Sequence, residues 1–436
     1  MNPTAIEIIG TVLFGIAVCH TFLVKKFEEL AHKYPQGSVG ENFYHFLGEV
    51  EVVFGLWAAV FVGFFSIING FAIYDDSHHL VGGALHYLES LNFTEPAFVF
   101  VIMCMSGTRP IILFAEKLIV LFAKIIPCPP RMAFFISSLI LGPLLGSFIT
   151  EPAAMTVTAL ILLDYFYNGE AMSTKFKYAT IGLLFVNVSI GGTLTHFAAP
   201  PVLMVASKWN WGFMHMITHF GYKSAIAIVI STIATALVFK NELQGEFEVK
   251  EVDSSKMKPT LWITILHFVF IALVVYTAHH MVFFLGLFLF FLGFTTVTAE
   301  YQQALKLKES LLVGFFLAGL VTLGTMQAWW LQEVLTSLSD FALYIGATSL
   351  TAITDNAALT YLGSLVELTD SAKFNLVAGA VVGGGLTVIA NAPNPAGFGL
   401  LKSSFGKDGI APFYLLLGAL PSTLVALILM QLLPNL

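Results

Sequence analysis

Apolar residues run along this chain in blocks of about twenty, the length of a helix that crosses a bilayer, with short polar stretches between them. Read on that rule, spans fall at Ala5–Val24, Leu47–Phe71, Ala97–Leu113, Tyr178–Ser207 and Ala225–Phe239. A second series falls at Leu261–Ala278, Met281–Thr298, Leu311–Met326, Asn375–Leu401 and Ala411–Leu433. Glycines and prolines interrupt the long spans at 178–207 and 375–401. Two pairs of shorter apolar segments remain, Met132–Phe148 with Ala153–Tyr165 and Phe341–Ile353 with Ala357–Leu365. Each pair reads as the two arms of a re-entrant hairpin. Residues 25–43 look amphipathic, and 114–126 alternates charge with leucine as an interfacial helix does. Residues 240–258 form the longest charged linker.

The hairpin tips repeat one another. Ile149-Thr150-Glu151-Pro152-Ala153-Ala154-Met155-Thr156 matches Ile353-Thr354-Asp355-Asn356-Ala357-Ala358-Leu359-Thr360. A glycine-rich stretch follows each: Gly191-Gly192-Thr193-Leu194-Thr195 leads to Ala199-Pro200-Pro201, and Gly383-Gly384-Gly385-Leu386-Thr387 leads to Ala392-Pro393-Asn394. A weaker match precedes each, Gly107-Thr108-Arg109 and Gly324-Thr325-Met326. Three matches in one order point to an internal duplication with a polar, broken-helix site in each copy. The fold expected is an all-α polytopic membrane protein of two repeats, 1–240 and 259–436, joined by a cytoplasmic linker at 241–258. Each repeat has about five transmembrane helices, one re-entrant hairpin and one broken helix. An odd number of crossings turns the second repeat upside down.

Charge supports the inversion. Of the 20 Lys and Arg, propagating the crossings from Lys25, Lys26 and Lys33 puts sixteen on one side, the cytoplasmic side by the positive-inside rule. Lys208, Lys223 and Lys373 fall outside, and Arg109 lies within a span. Both termini are then external, and the location expected is the bacterial cytoplasmic membrane. Hydrophobic residues make up 57% and charged residues 11% of the 436, where a soluble protein carries roughly 25% charged. The three cysteines offer no disulfide framework or zinc spacing. No basic n-region precedes the first apolar run, so no cleaved signal peptide is expected. A net charge of −7 implies no nucleic-acid partner. No His-Glu-x-x-His motif or nucleophile suggests an enzyme, and no cofactor is expected.

At membrane depth, irregular backbone survives only where protein buries it or a wet cavity meets it. Half-helix ends can bind either sign of ion, so side chains decide. Glu151 and Asp355 add two acids, each costing at least about 2.5–3.5 kcal/mol at the bilayer centre unless protonated or paired with a cation. Thr150, Thr354, Asn356, Thr193, Thr195, Asn391 and Asn394 add neutral oxygens suited to Na+. A carboxylate that holds either a proton or a metal cation is a minimal exchanger. Plainer roles suit the same residues: Asp and Asn cap helices, proline follows a cap as Pro152 does, and glycine permits close helix packing. Arg109 is a candidate charge partner for an acid. His196 is a weaker candidate for proton relay, and Trp209, Trp211, Trp329 and Trp330 read as interfacial anchors.

On these tips and breaks the chain resembles the ion transporter superfamily, which includes divalent anion–sodium symporters, arsenite pumps and one type of sodium/proton antiporter. The likeness is greatest to its sodium/proton antiporter family and covers nearly the whole chain. It implies that each tip and its adjacent break form a sodium site, through Thr354-Asp355-Asn356 with Gly384, Thr387, Asn391, Pro393 and Asn394, and through Thr150-Glu151 with Gly192, Thr193, Thr195 and Pro200. The Na+ ligands expected are Asp355, Asn356, Thr354 and Glu151. Asp355 is the main carrier in this reading, and Pro152 makes the first site the poorer match. An acid at both tips favours exchange of Na+ for H+; the alternative is a sodium-coupled symporter of a small anion such as a dicarboxylate. Partners are Na+, H+ and the lipid bilayer, and a homodimer is compatible with the pattern.

Overall fold

A computed structural model describes residues 3–167, 172–245, 257–406 and 409–436. Most of the expected linker, and Lys250, Lys256 and Lys407, lie outside the described residues. Five described helices are long and apolar enough to cross a membrane: Val50–Asn69, Pro130–Ile149, Phe213–Val238, Leu307–Ser337 and Pro412–Leu432. Two bent pairs qualify together, Ala5–Thr21 with Val24–Ala31 and Gly83–Ser90 with Thr94–Ser106, each bent by 60°. Large apolar side chains on these and shorter helices face outward, with Val282 85%, Ile67 82% and Val297 82% exposed. Apolar surface on that scale needs lipid around it. The molecule is an integral membrane protein.

The chain forms two compact units, each drawn from early and late sequence. One contains Met1–Phe100, Leu307–Ser337 and Tyr361–Glu367. Its first helix starts on a capping box in which Thr4 and Glu7 satisfy each other's backbone. Its helices Val53–Asn69 and Leu307–Gly324 approach through glycine: Gly319 lies against the backbone of Phe54 and Gly55, and Gly55 against the ring of Phe315. Small residues serve this way in lipid, where no hydrophobic force drives helices together. A short antiparallel ribbon, Ile73–Tyr74 with Leu80–Gly82, stands in the polar stretch after the second span.

The other unit contains Val101–Lys306, Leu338–Thr360 and Leu368–Leu436. It carries both tips and both breaks on α1 (Pro130–Ile149), α2 (Glu151–Ile161), α3 (Thr174–Gly191), α4 (Pro200–Ala206), α5 (Asp340–Thr351), α6 (Asn356–Ser364), α7 (Asp370–Gly383) and α8 (Asn394–Leu401). Boundaries differ from the sequence reading in several places. The third span ends at Ser106, because Gly107 and Thr108 break it and a new helix starts at Arg109. The first hairpin arm is 20 residues long, since Pro130 opens it at a first-turn position that needs no N–H.

Candidate functional site

α1 and α2 form a hairpin about Thr150. Gly142 packs on Thr158 and Gly146 on Ala154, pairs symmetric about residue 150 and so antiparallel. Thr150 makes the turn at φ 70° and ψ 151°. A β-branched residue there is strained, at a cost of order 1–3 kcal/mol. The Thr150 hydroxyl is held 2.9 Å from that of Ser106. This strained turn directs Glu151 into the interior, where it is fully buried.

α1 contains Pro143, which has no N–H to give the carbonyl of Leu139. Asn187 Nδ2 on α3 donates to that carbonyl at 2.9 Å, and Thr232 Oγ1 adds a longer bond of 3.4 Å. A backbone oxygen freed at membrane depth is therefore satisfied by side chains of neighbouring helices.

The breaks are closed by the same device in each half. After α3, Thr195 Oγ1 donates to the carbonyl of Ser147 at 2.7 Å. After α7, Thr387 Oγ1 donates to the carbonyl of Ala352 at 2.8 Å. Four residues earlier in each pair, Gly191 lies against the carbonyl of Pro143 and Gly383 against that of Thr348. α3 thus runs parallel to α1, and α7 to α5, with registers one residue apart when counted from the tips. Ser147 Oγ also donates to Gly191 O at 2.7 Å and accepts from Leu194 N at 2.9 Å. Thr193 bonds Ile190 O and Ser224, so its hydroxyl is used locally.

The second break carries the polar cluster. Asn394 Nδ2 donates to the carbonyls of Gly384, at 2.7 Å, and Thr387, at 2.8 Å, tying its two ends together. The second tip docks here, with Asn356 N donating to Ala390 O at 3.1 Å. The first tip docks here too: Asn391 Nδ2 donates to Glu151 Oε2 at 2.8 Å. Both tips meet the second break, whereas the resemblance pairs each tip with the break of its own half. Gly192 and Gly384 make the room. A methyl group on Gly192 would stand 2.8 Å from Cγ and 3.0 Å from Cδ of Glu151, and closer still to Oε1. One on Gly384 would stand 2.7 Å from Asn356 Nδ2 and would overlap Ser189 Oγ.

This cluster leaves buried oxygens without protein partners: Glu151 Oε1, Asn356 Oδ1, Asn391 Oδ1, Asn394 Oδ1 and Thr351 Oγ1. Buried polar atoms are nearly always bonded, so each such orphan needs an explanation. Carboxylate and amide oxygens are the donors a hard cation takes. Among the described residues no three His, Cys, Asp or Glu side chains converge as a transition-metal site would require.

Asp355, half-buried, accepts from Ala358 N at 3.0 Å and so caps α6. The Thr354 hydroxyl returns to Leu350 O. Pro200 opens α4, and Pro393 precedes α8. Buried Arg109 donates to Met257 O at 3.0 Å. Sequence reasoning missed Ser106, Ser147, Ser189 and Thr351, small hydroxyls inside apolar helices that carry no periodic signal.

Residues 5–433 match the family described as "Putative Na+/H+ antiporter". Among solved structures, the chain is similar to the YdaH transporter of Alcanivorax borkumensis, at 12% identity and a TM-score of 0.44, covering 88% of this chain and 96% of that one. No curated protein matches.

Proposed function

The chain belongs to the family described as putative Na+/H+ antiporters, and on that premise we propose that it exchanges Na+ for H+ with Glu151 as the group that carries either ion. The observation behind this reading is the fully buried Glu151 carboxylate, bonded to Asn391 on one oxygen and unpartnered on the other. In a low-dielectric site a carboxyl group is stable as the neutral acid or as the carboxylate beside a cation, and costly as a bare charge. Sodium entering among Glu151, Asn356, Asn391 and Asn394 displaces the proton, and a proton displaces sodium. Asp355, taken from the sequence as the main carrier, is engaged in capping α6, so the principal role passes to Glu151.

The finer architecture belongs to the same proposal: two inverted repeats, hairpins entering from opposite faces, and external termini in a bacterial cytoplasmic membrane. The matching Thr195 and Thr387 bonds support the duplication, and the lysine asymmetry supports the inversion. The test is flux in proteoliposomes carrying an internal pH dye under imposed sodium gradients. Sodium-driven proton movement should appear with the wild-type chain and vanish in folded Glu151→Gln. Wild-type flux from that variant would end the assignment.

A further inference from the structure

The duplicated sequence lets each site residue be compared with its counterpart. Ser189 and Val381 stand at equivalent positions, two residues before Gly191 and Gly383. Ser189 Oγ donates to Val381 O at 2.7 Å, so α3 and α7 cross at equivalent points. Around that crossing, the pair formed by Glu151 and Asn391 has a mirror image to look for.

Glu151 corresponds to Asp355, so the mirror position keeps its acid. Its amides are gone. Asn356 corresponds to Pro152, Asn391 to Ala198 and Asn394 to Pro201. Each of these three amide side chains, whose buried oxygen has no protein partner, has an apolar counterpart without any donor or acceptor in its side chain. Asp355 in turn has an N–H of α6 on its carboxylate, while Glu151 keeps one oxygen open.

We propose that the described residues form one cation site, built from both tips and the second break, and that the protein therefore exchanges one Na+ for one H+ without moving net charge. This rests on the exchange reading above and adds its stoichiometry. The step balances: Glu151 as the neutral acid takes up Na+ and releases H+, so the loaded site is neutral both as carboxylic acid and as sodium carboxylate. The empty carboxylate is the one charged form, and its burial disfavours crossing without an ion.

The test is a null-point measurement on the full chain in proteoliposomes, with voltage clamped by potassium and valinomycin. Sodium and proton gradients are imposed in opposition until net flux stops. One-for-one exchange predicts no flux when the sodium ratio equals the proton ratio, at 0 mV and at 100 mV alike. If a second proton travels per sodium, 100 mV displaces the balancing sodium ratio by about fiftyfold, which would overturn the proposal. Absence of sodium-dependent proton flux at every gradient would instead refute exchange itself. Asp355→Asn provides an independent arm: residual flux should balance at the same equal ratios. A folded Asp355→Asn protein with no flux would place a second carboxylate in the cycle and overturn the one-site claim.

Discussion

Replacing Gly192 by alanine perturbs the site without removing a polar group. The backbone there has φ −72° and ψ −6°, which alanine adopts freely, so folding should survive. The added methyl would lie 2.8 Å from Glu151 Cγ and 3.0 Å from Cδ, nearer still to Oε1, where ordinary contact is about 3.5–4.0 Å. Glu151 must retreat by roughly 1 Å, and its 2.8 Å bond from Asn391 cannot follow a shift of that size. A hydrogen bond to a charged group contributes about 1.5–3 kcal/mol, so apparent sodium affinity should fall roughly ten- to a hundredfold. The assay is sodium titration of dye-reported proton flux, with Gly293→Ala as control, since a methyl there meets nothing within 4 Å. Wild-type sodium affinity in folded Gly192→Ala would refute the placement of Glu151 at the cation site.

Other outcomes follow from the same geometry. Asn391→Ala should weaken sodium by a factor similar to Gly192→Ala, and the double variant should lose less than the product, because both act on one bond. Asn187→Leu should lower stability by about 1–3 kcal/mol, toward the low end because Thr232 still reaches Leu139 O; thermal unfolding in detergent reads this, and an unchanged midpoint would contradict the role given to Asn187. Cysteine labelling should reach position 175 from the cytoplasm and position 373 from outside, and labelling of both from one face would reject the inverted topology.

The apolar helices were legible in the sequence because blocks of apolar residues report burial in lipid directly. The tips and breaks were legible because Thr-acid pairs, glycines and prolines are costly inside apolar helices and stand out. The partnership between them was not. Nothing in local sequence says that Asn391 bonds Glu151 across 240 residues, since that contact depends on how α3 and α7 cross at Ser189. The proposed weight of the two acids shifts between sequence and structure for a related reason. Pro152 beside Glu151 reads as a defect in a ligand motif, yet it is a sound first-turn residue for α2. Asn356 beside Asp355 reads as a ligand pair, yet the Asp355 carboxylate turns back to cap its own helix. The break at Gly107 was missed although Ser106-Gly107-Thr108-Arg109-Pro110 is polar and turn-forming, because the third span was drawn across it to reach membrane-crossing length.

The central claim is that sodium and protons compete for Glu151, and calorimetric titration of sodium across a pH series measures that directly. In buffers of different ionisation enthalpy, binding should show a buffer-dependent heat for about one proton released per sodium bound. Proton and sodium exclude each other at one carboxylate, so lowering the pH fills the site with protons and apparent sodium affinity should fall, by up to tenfold per pH unit once the acid form dominates. Glu151→Gln should abolish the proton release. A sodium affinity independent of pH, with heat independent of buffer, would contradict exchange by competition at this carboxylate.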